Sequence, residues 1–122
     1  MHNTNNEWQY KDTIVIDIDN TICYNKLNHE SYADVKPIEH IVNTLNDCYS
    51  DNNYIILFTA RGMRTYDGDI ELINKHVRPE LEKWLEKHGV KYDELIMGKP
   101  WGQNVIYVDD KAMTPNDFAR RY

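Results

Sequence analysis

The chain has 122 residues, of which 41% are hydrophobic, and a formal net charge of −6. This length provides one core, so we expect a single domain over residues 1–122, with residues 1–12 as a loose polar tail. The acidic charge disfavours nucleic-acid binding, which needs clustered Lys and Arg. No apolar run approaches the ~20 residues of a membrane helix. Two cysteines without zinc spacing favour a reducing cytoplasm.

Four apolar runs predict β-strands that alternate with helical patterns. These strands are Thr13–Ile18, Tyr54–Phe58, Val90–Met97 and Asn104–Val108. The first run is almost continuously β-branched, which is typical of a strand covered on both faces. We therefore predict an α/β fold, a Rossmann-like three-layer sandwich with a mostly parallel sheet.

Helical spacing of apolar residues predicts helices over about residues 37–50, 70–88 and 115–122. Pro37 can open the first helix at its first position. Pro79 lies inside the second pattern, so we expect a kink or two abutting helices near Arg78. Gly89 is well placed to end this pattern as a C-terminal cap.

Two acidic pairs follow predicted strands near opposite ends of the chain. Asp17 and Asp19 follow the first strand, and Asp109 and Asp110 follow the fourth. Like charges held close together repel, and their burial is costly, so a cation is the usual remedy. The carboxyl ends of parallel strands meet at one edge of a sheet. Because carboxylate oxygens suit Mg²⁺, we predict one Mg²⁺ site formed by both pairs.

Two further polar residues follow predicted strands: Thr59 ends the second, and Lys99 comes just after the third. The chain thus carries, in order, an Asp-x-Asp-x-Thr box at residues 17–21, a strand ending in Thr, a Lys, and a strand ending in Asp-Asp. In this it resembles phosphatases of the haloacid dehalogenase (HAD) superfamily, over about Thr13 to Pro115. The resemblance implies a HAD-like fold and Mg²⁺-dependent hydrolysis of phosphomonoesters.

The chemistry of phosphoryl transfer supports matching roles for these residues, since it depends largely on positioning and charge stabilisation. Asp17 can attack phosphorus as a nucleophile and form an aspartyl-phosphate. Asp19 can protonate the leaving oxygen and later accept a proton from water. Thr59 and Lys99 can bind the phosphoryl oxygens.

For the remaining candidate residues, one has a single expected role and three have alternative roles. Asp109 would complete a metal shell with the Asp17 carboxylate and the Asp19 carbonyl. Asp110 either binds a metal water, orients Lys99 or caps the closing helix. Two more assignments stay open: Arg61 either binds substrate or braces an acid, and Trp101 either lines the site entrance or packs.

The segments between the motifs are too short for a cap domain. Residues Ile22–Lys36 suffice only for a small hairpin flap, so the resemblance implies a capless member. Water exclusion then depends on the flap, on a second copy in a homo-oligomer, or on a large substrate. We expect the flap to supply substrate specificity, because remote contacts help only those substrates that can make them.

Three short phrases resemble the small phosphatases associated with bacterial capsule polysaccharide biosynthesis: Phe58–Met63, Gly98–Trp101 and Val108–Lys111. This resemblance implies a small phosphorylated sugar, polyol or amino-alcohol as substrate. A polynucleotide end phosphatase would share the four motifs, although the acidic charge disfavours it. A receiver-type signalling domain also uses Asp, Mg²⁺, Thr and Lys, but carries its phosphorylated Asp on a middle strand and its Lys last.

Overall fold

The computed structural model describes residues 9–122, so most of the predicted loose tail lies outside the described residues. The strands are β1 (Thr13–Asp17), β2 (Tyr54–Thr59) and β3 (Glu94–Met97). The α-helices are α1 (Glu39–Ser50), α2 (Ile70–His76), α3 (Arg78–Lys87) and α4 (Pro115–Arg121). A short 3₁₀ helix at Tyr32–Asp34 lies between β1 and α1.

The three strands form one parallel sheet in the order β1-β2-β3, with β2 in the middle. Asp17 at the end of β1 is level with Phe58 of β2, and Thr59 is level with Met97 of β3. The carboxyl ends of all three strands therefore meet at one edge of the sheet. With its four helices the chain is a small α/β domain of Rossmann-like character, and the predicted parallel sheet is confirmed.

The helices follow the sequence pattern closely. The predicted break in the second pattern is confirmed, because α2 and α3 are separate helices with Val77 between them and Pro79 in the first turn of α3. Gly89 follows the C-cap of α3 with a positive φ of 64°. Helix α1 begins two residues after Pro37, which is engaged instead in an antiparallel bridge with Cys23.

The predicted fourth strand, Asn104–Val108, is wrong: the structure has no strand in this segment. Ile106 and Val108 are 83% and 94% exposed. Local contacts hold the segment instead, since the Tyr107 hydroxyl donates to the Pro100 carbonyl. The Tyr107 ring also lies against Lys99, with 4.1 Å between the ring centroid and Nζ. These contacts fold the segment back onto the residues just before it, and β1 stays at the edge of the sheet.

Burial differs between the two faces of the sheet. The core side chains on the strands are Ile16, Ile55, Leu57, Thr59, Leu95 and Met97. On the opposite face, Val15 of β1 is 58% exposed and Ile96 of β3 is 41% exposed. The prediction that both faces are covered, as in a three-layer sandwich, is therefore wrong for the described residues. A continuous apolar run shows no alternation, so it does not reveal that one face stays open.

The flap, Ile22–Lys36, has buried ends and an exposed middle. Ile22 and Val35 are buried, and the Trp84 indole N–H donates to the Val35 carbonyl at 2.8 Å. Tyr24 and Leu27 are more than half exposed. In place of the predicted hairpin, the flap has one bridge at its base and the 3₁₀ helix. Among residues 9–122, no helix is long and apolar enough to cross a membrane.

Candidate active site

Asp17 and Lys99 meet at the carboxyl edge of the sheet. The Lys99 ammonium donates to Asp17 Oδ1 at 3.1 Å, and both side chains are partly buried, at 17% and 35% exposure. The Lys99 backbone N–H donates to the Thr59 carbonyl at 3.0 Å, which holds the lysine against the end of β2. The Thr21 hydroxyl donates to Asp17 Oδ2 at 3.4 Å and so ties this carboxylate to the loop that follows β1. Three residues of the predicted site, Asp17, Thr59 and Lys99, are thus brought together.

Asp19 is held by Arg61 in a close ion pair. The loop after β1 turns tightly, since the backbone N–H groups of three successive residues converge on the Ile18 carbonyl. Arg61 Nε lies 3.1 and 3.2 Å from the two carboxylate oxygens of Asp19, and Nη2 lies 3.0 Å from Oδ1. The Arg61 side chain is 2% exposed and that of Asp19 is 30% exposed. Of the two roles left open for Arg61, bracing an acid is the one this geometry favours.

Thr59 links β2 to this ion pair. Its side chain is fully buried, and its hydroxyl donates to Asp19 Oδ2 at 3.4 Å. The Thr59 hydroxyl oxygen also accepts the Arg61 backbone N–H at 3.1 Å. Thr59 therefore organises the turn that delivers Arg61 to Asp19, and this function was not expected from the sequence.

Two further residues contact this ion pair in a way that the sequence did not predict. The Cys23 thiol lies 3.7 Å from Asp19 Oδ1 and 3.6 Å from Arg61 Nη2, and burial raises the pKa of this thiol to about 11. The Tyr32 ring lies over Arg61, with 4.1 Å between the ring centroid and the guanidinium carbon. Cys23 had a weak signal, because it follows Asp19 by four residues in the same loop. Tyr32 had none, because its contact depends on how the flap folds.

A cleft of about 240 Å³ lies beside Arg61. Tyr32 borders it from the flap, Tyr66 from the loop after β2, and Glu80 from α3. The loop comes close to the helices at Gly62, where φ is +82° and a Cβ would lie 2.8 Å from a Val77 methyl group. A side chain at this position would push the loop away from the helices.

The second acidic pair is not brought to this cluster. Asp109 and Asp110 are exposed, and Asp109 Oδ1 accepts the backbone N–H of Lys111. No group of three or more potential metal-ligating side chains forms within residues 9–122. The predicted joining of both acidic pairs in one metal site is therefore not seen, because the strand that would carry the second pair to β1 does not form. Nor does Asp110 cap α4, whose N-cap is Thr114.

The first acidic pair on its own offers hard oxygen ligands. The Asp17 carboxylate is one-third exposed, and within residues 9–122 no backbone or side-chain donor bonds to the Asp19 carbonyl. Mg²⁺ is commonly held by one or two carboxylates together with waters and a substrate phosphate. The residues present fit such an ion.

The chain is similar to a Vibrio cholerae protein known from its crystal structure. The two are 38% identical, the match covers 88% of this chain and 87% of the other, and the TM-score is 0.82. The chain belongs to the same family as that protein. No protein-family model and no curated protein matches it.

A second similarity is to the structure of the Pnkp1/Rnl/Hen1 RNA repair complex, with a TM-score of 0.53 and 15% identity. It covers 99% of this chain but only 32% of the chain it matches. At this identity the likeness shows a shared fold alone.

Proposed function

We propose that this protein is a Mg²⁺-dependent phosphomonoester hydrolase of the HAD superfamily. The observation that carries this proposal is the pair formed by Asp17 and Lys99, which are 82 positions apart in sequence and 3.1 Å apart at the carboxyl edge of the sheet. A nucleophilic carboxylate beside a fixed ammonium group is suited to phosphoryl transfer, since the lysine can neutralise charge on a phosphoryl group bound to the carboxylate.

The reaction proceeds in two steps through an aspartyl-phosphate. An Asp17 oxygen attacks phosphorus, the bond to the leaving oxygen breaks, and Asp19 gives that oxygen a proton. Asp19 then takes a proton from water, which attacks phosphorus and releases inorganic phosphate while Asp17 is regenerated. Lys99 stabilises the phosphoryl oxygens in both steps. The Thr59 hydroxyl stays a predicted second donor to these oxygens, and this role requires it to leave Asp19.

Mg²⁺ would be held by the Asp17 carboxylate and the Asp19 carbonyl, and it would supply charge neutralisation and orient the phosphate. Asp109 and Asp110 stay predicted further ligands, and this role requires their segment to leave its present position. The ion is an inference from the ligand chemistry of the first acidic pair.

The residues that line the cleft support a proposal for the substrate class. A leaving group beside Arg61 would lie among Thr65, Tyr66 and Glu80. This lining suits a small polar alcohol, and a phosphorylated sugar, polyol or amino-alcohol in bacterial capsule polysaccharide biosynthesis in the cytoplasm is the substrate we propose. The polynucleotide end phosphatase remains the alternative to test.

The test is phosphate release from a panel of small phosphomonoesters and from oligonucleotides with 3′- or 5′-terminal phosphate. We expect turnover of several small esters with Mg²⁺, none after chelation, and recovery when Mg²⁺ is restored. Faster turnover of the oligonucleotides would favour the alternative. Full activity in a chelated sample, or no activity on any ester, would overturn the proposal.

A further inference from the structure

Arg61 is a buried cation whose guanidinium group is contacted both along its edge and on one face. Its side chain is 2% exposed, and its guanidinium edge is engaged by the Asp19 carboxylate in three contacts of 3.0 to 3.2 Å. A buried ion pair repays its desolvation cost only when its geometry is well fixed. Asp19 thus fixes the edge of the guanidinium group. The rigidity of the ion pair then depends on the residue that packs against the planar face of this group.

Tyr32 covers that face. The centroid of its ring lies 4.1 Å from the guanidinium carbon, well within the range of a cation–π contact. Burial raises the pKa of the Tyr32 phenol, so the group stays neutral at physiological pH. Within residues 9–122 its hydroxyl makes no hydrogen bond, so the ring rather than the hydroxyl carries the interaction with Arg61.

The position of Tyr32 is set by the core rather than by the exposed part of the flap. Its 3₁₀ helix leads directly into the buried Val35, whose carbonyl accepts the Trp84 indole N–H at 2.8 Å. The ring is therefore held against Arg61 by residues that are fixed in the body of the domain.

We infer that Tyr32 is a positioning residue for Asp19, and that it acts through Arg61. The inference rests on the proposed function. The Tyr32 ring keeps the guanidinium fork in place, the fork fixes both carboxylate oxygens of Asp19, and the carboxyl group is thereby aimed at the leaving oxygen. A general acid is effective only when it lies within hydrogen-bond reach of the atom it protonates.

The kinetic test compares Tyr32→Leu, Tyr32→Phe and Tyr49→Leu on two substrates. Tyr49 is the control, since it lies on α1, outside the flap and the cleft, and is 39% exposed. The substrates are 4-nitrophenyl phosphate, whose leaving group needs little protonation, and an alkyl phosphate, whose leaving group needs it fully. The quantity compared is kcat/KM, because it reports the steps up to departure of the leaving group and not the hydrolysis of the phosphoenzyme, which is common to both esters. For Tyr32→Leu we expect kcat/KM to fall about tenfold or more on the alkyl ester, but less than about threefold on the aryl ester. Tyr32→Phe keeps the ring and should behave like the wild type, as should Tyr49→Leu.

These measurements distinguish a role of Tyr32 in positioning Asp19 from a role in stabilising the fold. Equal losses of kcat/KM on both substrates, or a loss in Tyr32→Phe as large as in Tyr32→Leu, would overturn the inference. So would a Tyr32→Leu enzyme indistinguishable from the Tyr49→Leu control. Thermal unfolding of each variant identifies any loss that comes from an unstable fold.

A second measurement does not depend on activity. In ¹⁵N NMR spectra, the Arg61 Nε–H proton should exchange slowly with water in the wild type and in Tyr32→Phe, and about tenfold or more faster in Tyr32→Leu. Unchanged exchange in the folded Tyr32→Leu protein would overturn the inference. If the wild type hydrolyses no phosphomonoester, the proposed function fails while this measurement still decides whether Tyr32 holds the Arg61–Asp19 pair.

Discussion

Two regions that were both expected at the carboxyl edge of the sheet differ sharply in the structure. The strand-end cluster, formed by Asp17, Asp19, Thr59, Arg61 and Lys99, has its charges paired and partly or fully buried. In the segment of residues 101–113 the charged and apolar side chains are exposed.

The difference follows from strand pairing. Residues of the cluster lie on or just after strands whose register is fixed by their neighbours, so their side chains converge. The 101–113 segment pairs with no strand of the described residues. Its Tyr107 ring lies against Lys99 of the cluster and its Trp101 ring lies 5.7 Å from the Arg64 guanidinium carbon, but Asp109 and Asp110 stay outside the cluster. An acidic pair reaches a site only when its strand joins the sheet.

The largest expected effect on activity comes from removing the Asp17 carboxylate from the cluster. Asp17→Asn should lower kcat/KM by more than about 10³-fold, because an amide is nearly isosteric but a poor nucleophile. Phosphate release and thermal unfolding measured on the same sample separate chemistry from stability. Near-normal turnover would instead favour direct attack by water.

Asp51→Asn is the matched control for this substitution. The Asp51 side chain is 71% exposed and, within residues 9–122, forms an ion pair only with Lys11 on the surface. The activity of the Asp51→Asn variant should stay within about twofold of that of the wild type, as is usual for surface substitutions.

A pair of lysine substitutions compares the two regions directly. Lys99→Met removes the ammonium group beside Asp17 and should lower kcat about 10²-fold, a typical cost of losing one group that stabilises transition-state charge. Lys111→Met removes an exposed lysine from the 101–113 segment and should change kcat less than about twofold. Comparable losses in both variants would show that residues 109–111 reach the site during turnover.

Much of this arrangement could be predicted because it depends on local patterns and parallel pairing. The first three apolar runs gave β1, β2 and β3, and Pro79 marked the boundary of α2 and α3. The residues that end β1 and β2, Asp17 and Thr59, were correctly expected at one edge of the sheet. Strand pairing alone brings such positions together, whatever the details of packing.

The parts that could not be predicted depend on tertiary contacts. The apolar pattern of residues 104–108 is as strand-like as that of β2, but it does not encode the competing contact of Tyr107 with Lys99. The position of Tyr32 over Arg61 likewise depends on the anchoring of Val35 by Trp84. No spacing in the sequence carries that information.

Hydrogen exchange can sharpen the contrast between the regions. The proposed further ligands Asp109 and Asp110 would be drawn to the metal, so backbone amides of residues 104–110 should exchange at least about tenfold more slowly with Mg²⁺ and phosphate than without them. Mass spectrometry of peptides from this segment measures the effect, and Asp109→Asn should remove it. Amides that stay fully unprotected with Mg²⁺ and phosphate would exclude both residues from the metal site.

The smallest expected effect concerns the reactivity of the Cys23 thiol, which reports how well the strand-end cluster is shielded from solvent. The thiolate is the reactive form, and burial raises the pKa of Cys23 to about 11 from an ordinary value of 9.0. Below pH 9 the thiolate population is therefore about 100-fold smaller than in an exposed cysteine, and it recovers only as the pH approaches 11. Iodoacetamide at pH 8 should leave Cys23 of the folded protein unmodified over a period in which the denatured chain reacts completely, as peptide mass spectrometry would show.

Met113, 42% exposed at the end of the 101–113 segment, should by contrast be oxidised readily by dilute peroxide. Rapid alkylation of Cys23 in the native protein would mean that the loop carrying Asp19 opens often, and that the cluster is no better ordered than the segment.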